Sequence, residues 1–247
     1  GALKCVDLQG DGFTLYVRPF FRALAGRDTR FGALSVGVDG NTFFDIDQAA
    51  YQGAAGLTQL AAEPGFTAVV VLGNVDPATR AFTATQVLAG SSVPGGTLDA
   101  IQGTVVQRQG DVLTIKGATL SRSDGSVTFG ALATVQLANT TRVRKQLDPA
   151  AHNIGDVSVG QRVTVLGTLT DPATLAMDAS GGVVRMELTT LRGTVAGSPS
   201  PFTAALQSID GRDADHFDFT GTGVTSGDDA DPAAYSIDPN GLDLSAV

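Results

Sequence analysis

The stretch that decides the fold is Val70-Val71-Leu72-Gly73, which is followed by the turn sequence Asp76-Pro77-Ala78-Thr79. A close copy occurs later as Thr164-Val165-Leu166-Gly167, followed by Asp171-Pro172-Ala173-Thr174. The copies are 94 residues apart at the leucine (166 − 72) and 95 apart at the aspartate (171 − 76). Repetition at a nearly constant period indicates that one structural unit is present more than once.

Two further matches extend the repeat in the same order. Phe31-Gly32-Ala33-Leu34 returns 98 residues later as Phe129-Gly130-Ala131-Leu132. Phe13-Thr14 returns 189 residues later as Phe202-Thr203, which is close to twice the shorter period. A third unit therefore begins near the C-terminus, and the sequence contains no match to its last strands.

Each unit is predicted to consist mainly of strands. Thr67–Leu72 and Arg162–Leu166 are rich in β-branched residues and end at glycine, as strands before a turn do. Asp-Pro-Ala-Thr favours a type I turn, because aspartate caps its first position and proline fixes φ at its second. The alanine-rich insert Ala49–Glu63 predicts a short helix, whereas its counterpart Lys145–Asp156 contains proline and is less helical.

Three strands, a short helix or loop and two more strands is the order of a five-stranded Greek-key barrel of the OB type. The predicted fold class is therefore all-β, with tandem small OB-like barrels, two complete and a partial third. The predicted boundaries are 1–96 for the first barrel repeat, 97–197 for the second and 198–247 for an acidic, partial third repeat.

Composition argues against several partners. The formal net charge is −9 and the pI is about 4.5, which disfavours nucleic acid because its phosphates bind mainly lysine and arginine. The sequence has no run of roughly 18 apolar residues, so no membrane span is predicted. The single cysteine, Cys5, excludes an internal disulfide.

Three segments carry a resemblance to a known family: the Phe-Gly-Ala-Leu strand leading into Val38–Thr42, the stretch Ser158–Gly167, and the closing run Gly221–Tyr235. From about Phe13 onward the chain resembles bacterial cell-envelope (lipo)proteins that carry tandem copies of a small β-barrel domain of unknown function. The resemblance implies an exported protein that is periplasmic, anchored to the outer membrane or extracellular. It implies no catalytic residue, and the chain departs from the family in lacking a good lipid-attachment motif before Cys5.

Acidic residues concentrate towards the C-terminus, where nine of the 25 lie in the last 38 positions. Clustered carboxylates in loops suit calcium, which takes six to eight oxygen ligands. The spacing does not match an EF-hand, and solvated loops that use aspartate for turns are the favoured alternative. The candidate calcium ligands are Asp213, Asp215, Asp218, Asp228, Asp229 and Asp231.

Three aromatic residues near the N-terminus form a second candidate surface. On a strand, Tyr16 and Phe20 share one face and Phe21 takes the other, and Pro19 places this strand at an edge or a bend. At least one ring is therefore expected to contact a neighbouring barrel, a partner or a ligand such as a glycan.

No catalytic or cofactor-binding residues are predicted. The sequence has no Gly-x-Ser-x-Gly elbow, and its two histidines, His152 and His216, are far apart. The expected function is that of a non-catalytic exported binding or scaffolding module. The alternatives are a structural subunit that assembles through an open β edge and, least favoured, an enzyme acting on polysaccharide.

The unfinished third repeat leaves a strand edge whose partner the sequence does not specify. This edge has three alternative explanations. Either the chain ends early, or the N-terminal segment Leu3–Arg18 closes the third unit, or another chain supplies the missing strand.

Overall fold

The computed structural model describes residues 1–17, 32–197, 202–222, 227 and 229–239. Phe20, Phe21 and Asp228 lie outside these residues. The chain divides into two compact units, Gly1–Thr97 and Leu98–Val247, and the predicted all-β class is confirmed. Among the described helices none has the length and apolar character needed to span a membrane.

In its described residues the first unit contains seven strands and one α-helix. Their bounds are β1 Ala2–Asp7, β2 Gly12–Val17, β3 Gly32–Gly37, β4 Phe43–Ile46, β5 Ala49–Gln52, α1 Gly53–Ala62, β6 Val69–Val75 and β7 Phe82–Ala89.

The second unit contains the other strands. Their bounds are β8 Asp99–Gln109, β9 Val112–Ser121, β10 Val127–Gln136, β11 Arg142–Lys145, β12 Asp148–His152, β13 Arg162–Asp171, β14 Ala176–Glu187, β15 Leu191–Gly197, β16 Thr203–Ile209, β17 Arg212–Asp213 and β18 Tyr235–Ser236.

Five strands of the second unit form a closed barrel. Their order is β10-β9-β8-β13-β14, and β14 pairs back with β10 to complete the circuit. All neighbours are antiparallel except β10 and β14, which run parallel over Thr134–Gln136. The first three strands are thus neighbours in sequence order, the fourth strand pairs with the first, and the fifth strand pairs with the third. This is the OB-type strand order that the sequence predicts. The core of this barrel includes Ile101, Ile115, Val135 and Val165.

The first unit repeats this circuit as a half-barrel with weaker joins. β1, β2 and β3 are antiparallel neighbours, and β3 meets β7 in parallel only at Gly37 and Thr83. β6 pairs with β7, but its join with β1 is short: Gly1 and Val69 exchange backbone hydrogen bonds beside an isolated bridge between Ala2 and Ala68. The sheet therefore follows the same strand order with a shorter seam.

The insert between the third and fourth barrel strands differs from its prediction. Ala49–Gln52 forms β5, a hairpin partner of β4, and the helix covers only Gly53–Ala62. Leu57 and Leu60 face the core, as their spacing indicates. Gly56 lies under the Phe44 ring, where a β-carbon would come within 2.1 Å of the ring. Close packing therefore explains a residue that disfavours helix.

The repeated glycine has a steric cause in both copies. At Gly73 a β-carbon would lie 2.2 Å from the Thr83 carbonyl oxygen, and at Gly167 it would lie 2.5 Å from the Asp178 carbonyl oxygen. Both positions coincide with a register shift in the hairpin that follows. The strand bends tightly there to stay on the barrel, and only glycine leaves space for the opposite backbone.

The chain turns at both copies of the repeated Asp-Pro-Ala-Thr sequence. The Asp76 carboxylate accepts hydrogen bonds from the N–H groups of Ala78 (2.7 Å) and Thr79 (3.1 Å). Asp171 accepts from Ala173 N–H (2.8 Å) in the second copy. These hydrogen bonds to the ionised carboxylate lower the pKa of Asp76.

The sheet of β15, β16, β17 and β18, which includes the predicted third repeat, packs on the second barrel. Ile209 and Phe217 belong to the core of that barrel, and the Tyr235 hydroxyl donates to the Val159 carbonyl oxygen (2.6 Å). The interpretation that Leu3–Arg18 closes the third unit is wrong, since β1 and β2 are paired within the first unit. The apolar side chains of β1 and β2 are already buried in the core of the first unit.

A buried threonine occupies the same place in each barrel, next to the parallel join. The Thr141 hydroxyl donates to the Ala179 carbonyl oxygen (2.8 Å) and accepts from Ala138 N–H (2.9 Å). In the first unit the Thr42 hydroxyl donates to the Ala84 carbonyl oxygen (2.8 Å) in the same way. In both units this hydroxyl therefore holds the turn after the third barrel strand against the fifth barrel strand.

We expect Thr141→Val to destabilise the second unit by about 1–3 kcal/mol, because it leaves a buried acceptor and donor without their partner. Urea unfolding measures this loss. The matched control is Thr140→Val, since the exposed Thr140 hydroxyl also bonds a carbonyl of the same strand, that of Ser180. Equal effects from the two variants would contradict the role assigned to Thr141.

Candidate functional site on the first barrel

A stacked aromatic pair forms an exposed surface on the first unit. The rings of Tyr16 and Phe66 lie 5.6 Å apart between centroids and are nearly parallel, with an interplanar angle of 9°. β2 places Phe13 and Leu15 in the core, so alternation directs Tyr16 to the other face. Phe66 remains 74% exposed. The pair therefore presents a flat apolar surface to solvent.

The backbone at Phe66 is strained. The Thr67 N–H donates to the Pro64 carbonyl oxygen (3.2 Å), so residues 64–67 form a turn with Phe66 at its third position. Its φ is +68°, a region that favours glycine and is a genuine outlier for a bulky residue. A second hydrogen bond, from Phe66 N–H to the Leu3 carbonyl oxygen (2.9 Å), holds this conformation. Strain of this kind concentrates at functional sites.

A lysine adds positive charge to the surface. Lys4 lies on β1 with its ammonium nitrogen 5.5 Å from the centre of the Tyr16 ring, within cation–π range. Close by, the Gly1 amino group donates to the Val69 carbonyl oxygen (2.9 Å), and burial lowers its pKa. The Lys4–Tyr16–Phe66 surface thus combines two rings with a cation in a strongly acidic protein.

The sequence identified only part of this surface. Tyr16 lies in it, and its contact with a ligand or partner stays a prediction, while Phe20 and Phe21 fall outside the described residues. Phe66 was missed, because a phenylalanine after Pro64-Gly65 carries no periodic signal. The position that favours glycine in that turn becomes apparent only from the backbone.

The candidate calcium ligands are only partly assembled. Asp213, Asp215 and His216 offer ligand atoms within 4.8 Å of one another, and they are the one such group among the residues that the structure describes. All three are exposed. Two carboxylates and an imidazole supply few of the six to eight oxygens that calcium prefers.

Two of the other candidate aspartates, Asp218 and Asp231, accept hydrogen bonds from neighbouring parts of the protein. The Asp218 carboxylate accepts from the Thr220 hydroxyl and from the Gln107 amide (2.8 Å), and these bonds lower its pKa. Asp231 accepts from Ala233 N–H (2.8 Å) in a turn, and Asp229 is not part of the described cluster. Solvated turns therefore stay the favoured interpretation of this set over calcium ligands.

The second barrel has a shallow groove of about 610 Å³ near the join of β10 and β14. Its lining residues include Thr134, Met177 and a single acidic side chain, Asp178. The Asp178 carboxylate accepts from Ser180 N–H (2.8 Å), and this bond lowers its pKa. The groove lining thus supplies no second carboxylate of the kind that glycoside hydrolysis pairs with a first.

Comparison with known proteins found no matching family model, no matching curated protein and no matching solved structure.

The strain at Phe66 can be measured by comparing two truncations. Phe66→Gly and Phe66→Ala both remove the ring, but only glycine adopts positive φ without cost. We expect Phe66→Gly to be more stable than Phe66→Ala by about 1 kcal/mol in urea unfolding. Equal stabilities would show that the turn relaxes to negative φ.

We expect the thermal unfolding midpoint to be the same with calcium and with a chelator, because in the described part of the chain only two of the candidate carboxylates come together. A ligand selective for the native state raises the midpoint. A rise of several degrees in calcium, abolished by Asp213→Asn, would contradict this expectation and locate an ion there.

Proposed function

We propose that this protein is a non-catalytic, exported envelope or extracellular protein that acts as a binding or scaffolding module. The observation that carries the proposal is the exposed Phe66 ring, held on a strained backbone and stacked on Tyr16. A strained, exposed aromatic residue costs stability, and a surface contact explains why it is kept. The Lys4–Tyr16–Phe66 surface is the proposed contact site.

The ligand class we propose for this surface is a glycan. The flat face of an exposed ring suits the apolar C–H face of a sugar ring, and the stacked partner ring fixes its orientation. The Lys4 ammonium offers up to three donors to hydroxyl or carboxylate groups of the same ligand. The net charge of −9 argues against nucleic acid as the ligand.

The proposed location rests on the resemblance to bacterial envelope proteins. An exported binding module with tandem small barrels fits that family, whose members carry no known activity.

A glycan array that includes acidic polysaccharides tests the proposed ligand class. We expect a hit whose affinity falls about three- to tenfold in Phe66→Ala, which is the effect of losing one aromatic contact. Lys4→Gln is expected to weaken acidic glycans more than neutral ones.

The matched control is Phe129→Ala, because Phe129 is as exposed as Phe66, at 79%, but stacks on no ring in the described residues. A hit that survives Phe66→Ala and Tyr16→Ala, or no hit at all, would contradict the proposed site.

A second candidate function is assembly through the open β edge of β15, in the sheet that β15 forms with β16, β17 and β18. Within the described residues β15 pairs only with β16, and Arg192–Ala196 is exposed. Light scattering that shows only monomer at high protein concentration would exclude this function.

A further inference from the structure

The first half of β10 is an open edge of the second barrel. β10 pairs with β9 along its whole length, but on its other side β14 meets it only at Thr134–Gln136. The reason is that β14 begins only at Ala176, opposite Thr134. In the described part of the chain, no strand pairs with that side of β10 over Val127–Ala133.

The side chains of this edge are apolar and exposed. Phe129 is 79% exposed, Val127 54% and Leu132 52%. The strand contains no charged residue and no proline, which are the features that commonly keep strand edges from pairing. An apolar edge without them is a template for another strand.

The core of the barrel does not explain why Phe-Gly-Ala-Leu is repeated. Gly130 has a steric reason, because a β-carbon there would lie 2.3 Å from the Leu175 Cδ1 atom. Phe129 and Leu132, however, are exposed and lie outside the core. Ala33, in the other copy of the motif, is exposed as well. A stretch that recurs on an exposed strand is better explained by a surface contact than by packing inside the barrel.

We propose that β10 pairs antiparallel with β10 of a second copy of this chain, about a two-fold axis at Phe129. In this register Phe129 lies opposite Phe129, and Val127 lies opposite Ala131 of the other copy. This seam ends before the join with β14, which starts at Thr134. A contact with two-fold symmetry is closed, so it produces a dimer and not a fibre.

The residues of the seam complement one another across the axis. Residues directly opposite in an antiparallel pair have β-carbons about 4.5–5.5 Å apart, so the two Phe129 rings contact each other. Aromatic pairs favour an offset arrangement, and Gly130 and Ala131 beside the rings are small enough to leave space for it. The pairing therefore buries a ring that is 79% exposed in the single chain.

Charge complementarity favours a second copy in this orientation. Asp124 lies in the exposed turn before β10, and Lys116 lies on β9 opposite Leu132, beyond the other end of the seam. Antiparallel pairing about Phe129 brings Asp124 of each copy towards Lys116 of the other, whereas parallel pairing would bring like charges together. Exposed ion pairs contribute little affinity, so they select the orientation while the backbone seam and the rings hold the dimer.

Sedimentation equilibrium of this chain measures the association. At physiological salt, which screens charge beyond about 8 Å, we expect the mass to rise with concentration from 25.1 kDa towards twice that value. Phe129→Ala is expected to weaken association at least about tenfold, because it removes both rings at the axis. Phe66→Ala is the matched control, since Phe66 is similarly exposed, at 74%, and we expect it to leave association unchanged.

Cysteine cross-linking tests the register of the seam. In a Cys5→Ser background, Phe129→Cys places two thiols opposite each other across the axis, within the Cα separation that a disulfide spans. The control is Leu132→Cys, whose thiols would lie about 20 Å apart because three residues on each strand separate them from the axis. We expect oxidation to give a covalent dimer with Phe129→Cys and none with Leu132→Cys.

Three results would overturn the proposal: a monomer at every concentration, a dimer that Phe129→Ala leaves intact, or equal cross-linking by the two cysteine variants. A dimer that only Val195→Lys dissolves would also overturn it, since the exposed edge of β15 would then be the contact. Urea unfolding checks that Phe129→Ala is folded, as expected for a ring outside the core. Glycan binding through Phe66 is measured separately, so either proposal can fail without the other.

Discussion

Closing a five-stranded sheet of this order requires the third and fifth strands to meet in parallel, and the rest of each barrel depends on that join. A parallel pair cannot be made by a tight hairpin, so the chain must leave the third strand and return later on the fifth. The buried hydroxyls of Thr42 and Thr141 hold the departing turn against the fifth strand. Because this turn is held in place, the positions at which the inserted hairpin begins and the fourth strand must return are both defined.

The residues that the two copies share are explained by the steric room they leave as much as by the contacts they make. Gly73 and Gly167 sit where the fourth strand bends under a carbonyl oxygen of the fifth, so a side chain of any size would push the hairpin apart. The aspartate turn that follows returns the chain in register. These short-range requirements explain why Leu-Gly and Asp-Pro-Ala-Thr are the residues that the two copies share.

For the same reason, sequence predicted the strand order well and the candidate surfaces poorly. Strands, turns and the OB-type order follow from neighbouring residues, and the structure confirms them. The start of the helix was misjudged because Ala49–Gln52 begins with two alanines, which favour helix, yet forms a hairpin with β4. The Tyr16–Phe66 stack depends on a turn conformation and on a contact across 50 residues, and neither leaves a periodic trace.

The two copies of the fourth strand also show how nearly identical sequences acquire different environments. Val70-Val71-Leu72-Gly73 and Thr164-Val165-Leu166-Gly167 differ in type at one position, yet one outer face is exposed and the other is buried. The difference lies in the length of the seam with the first strand, not in the strand itself.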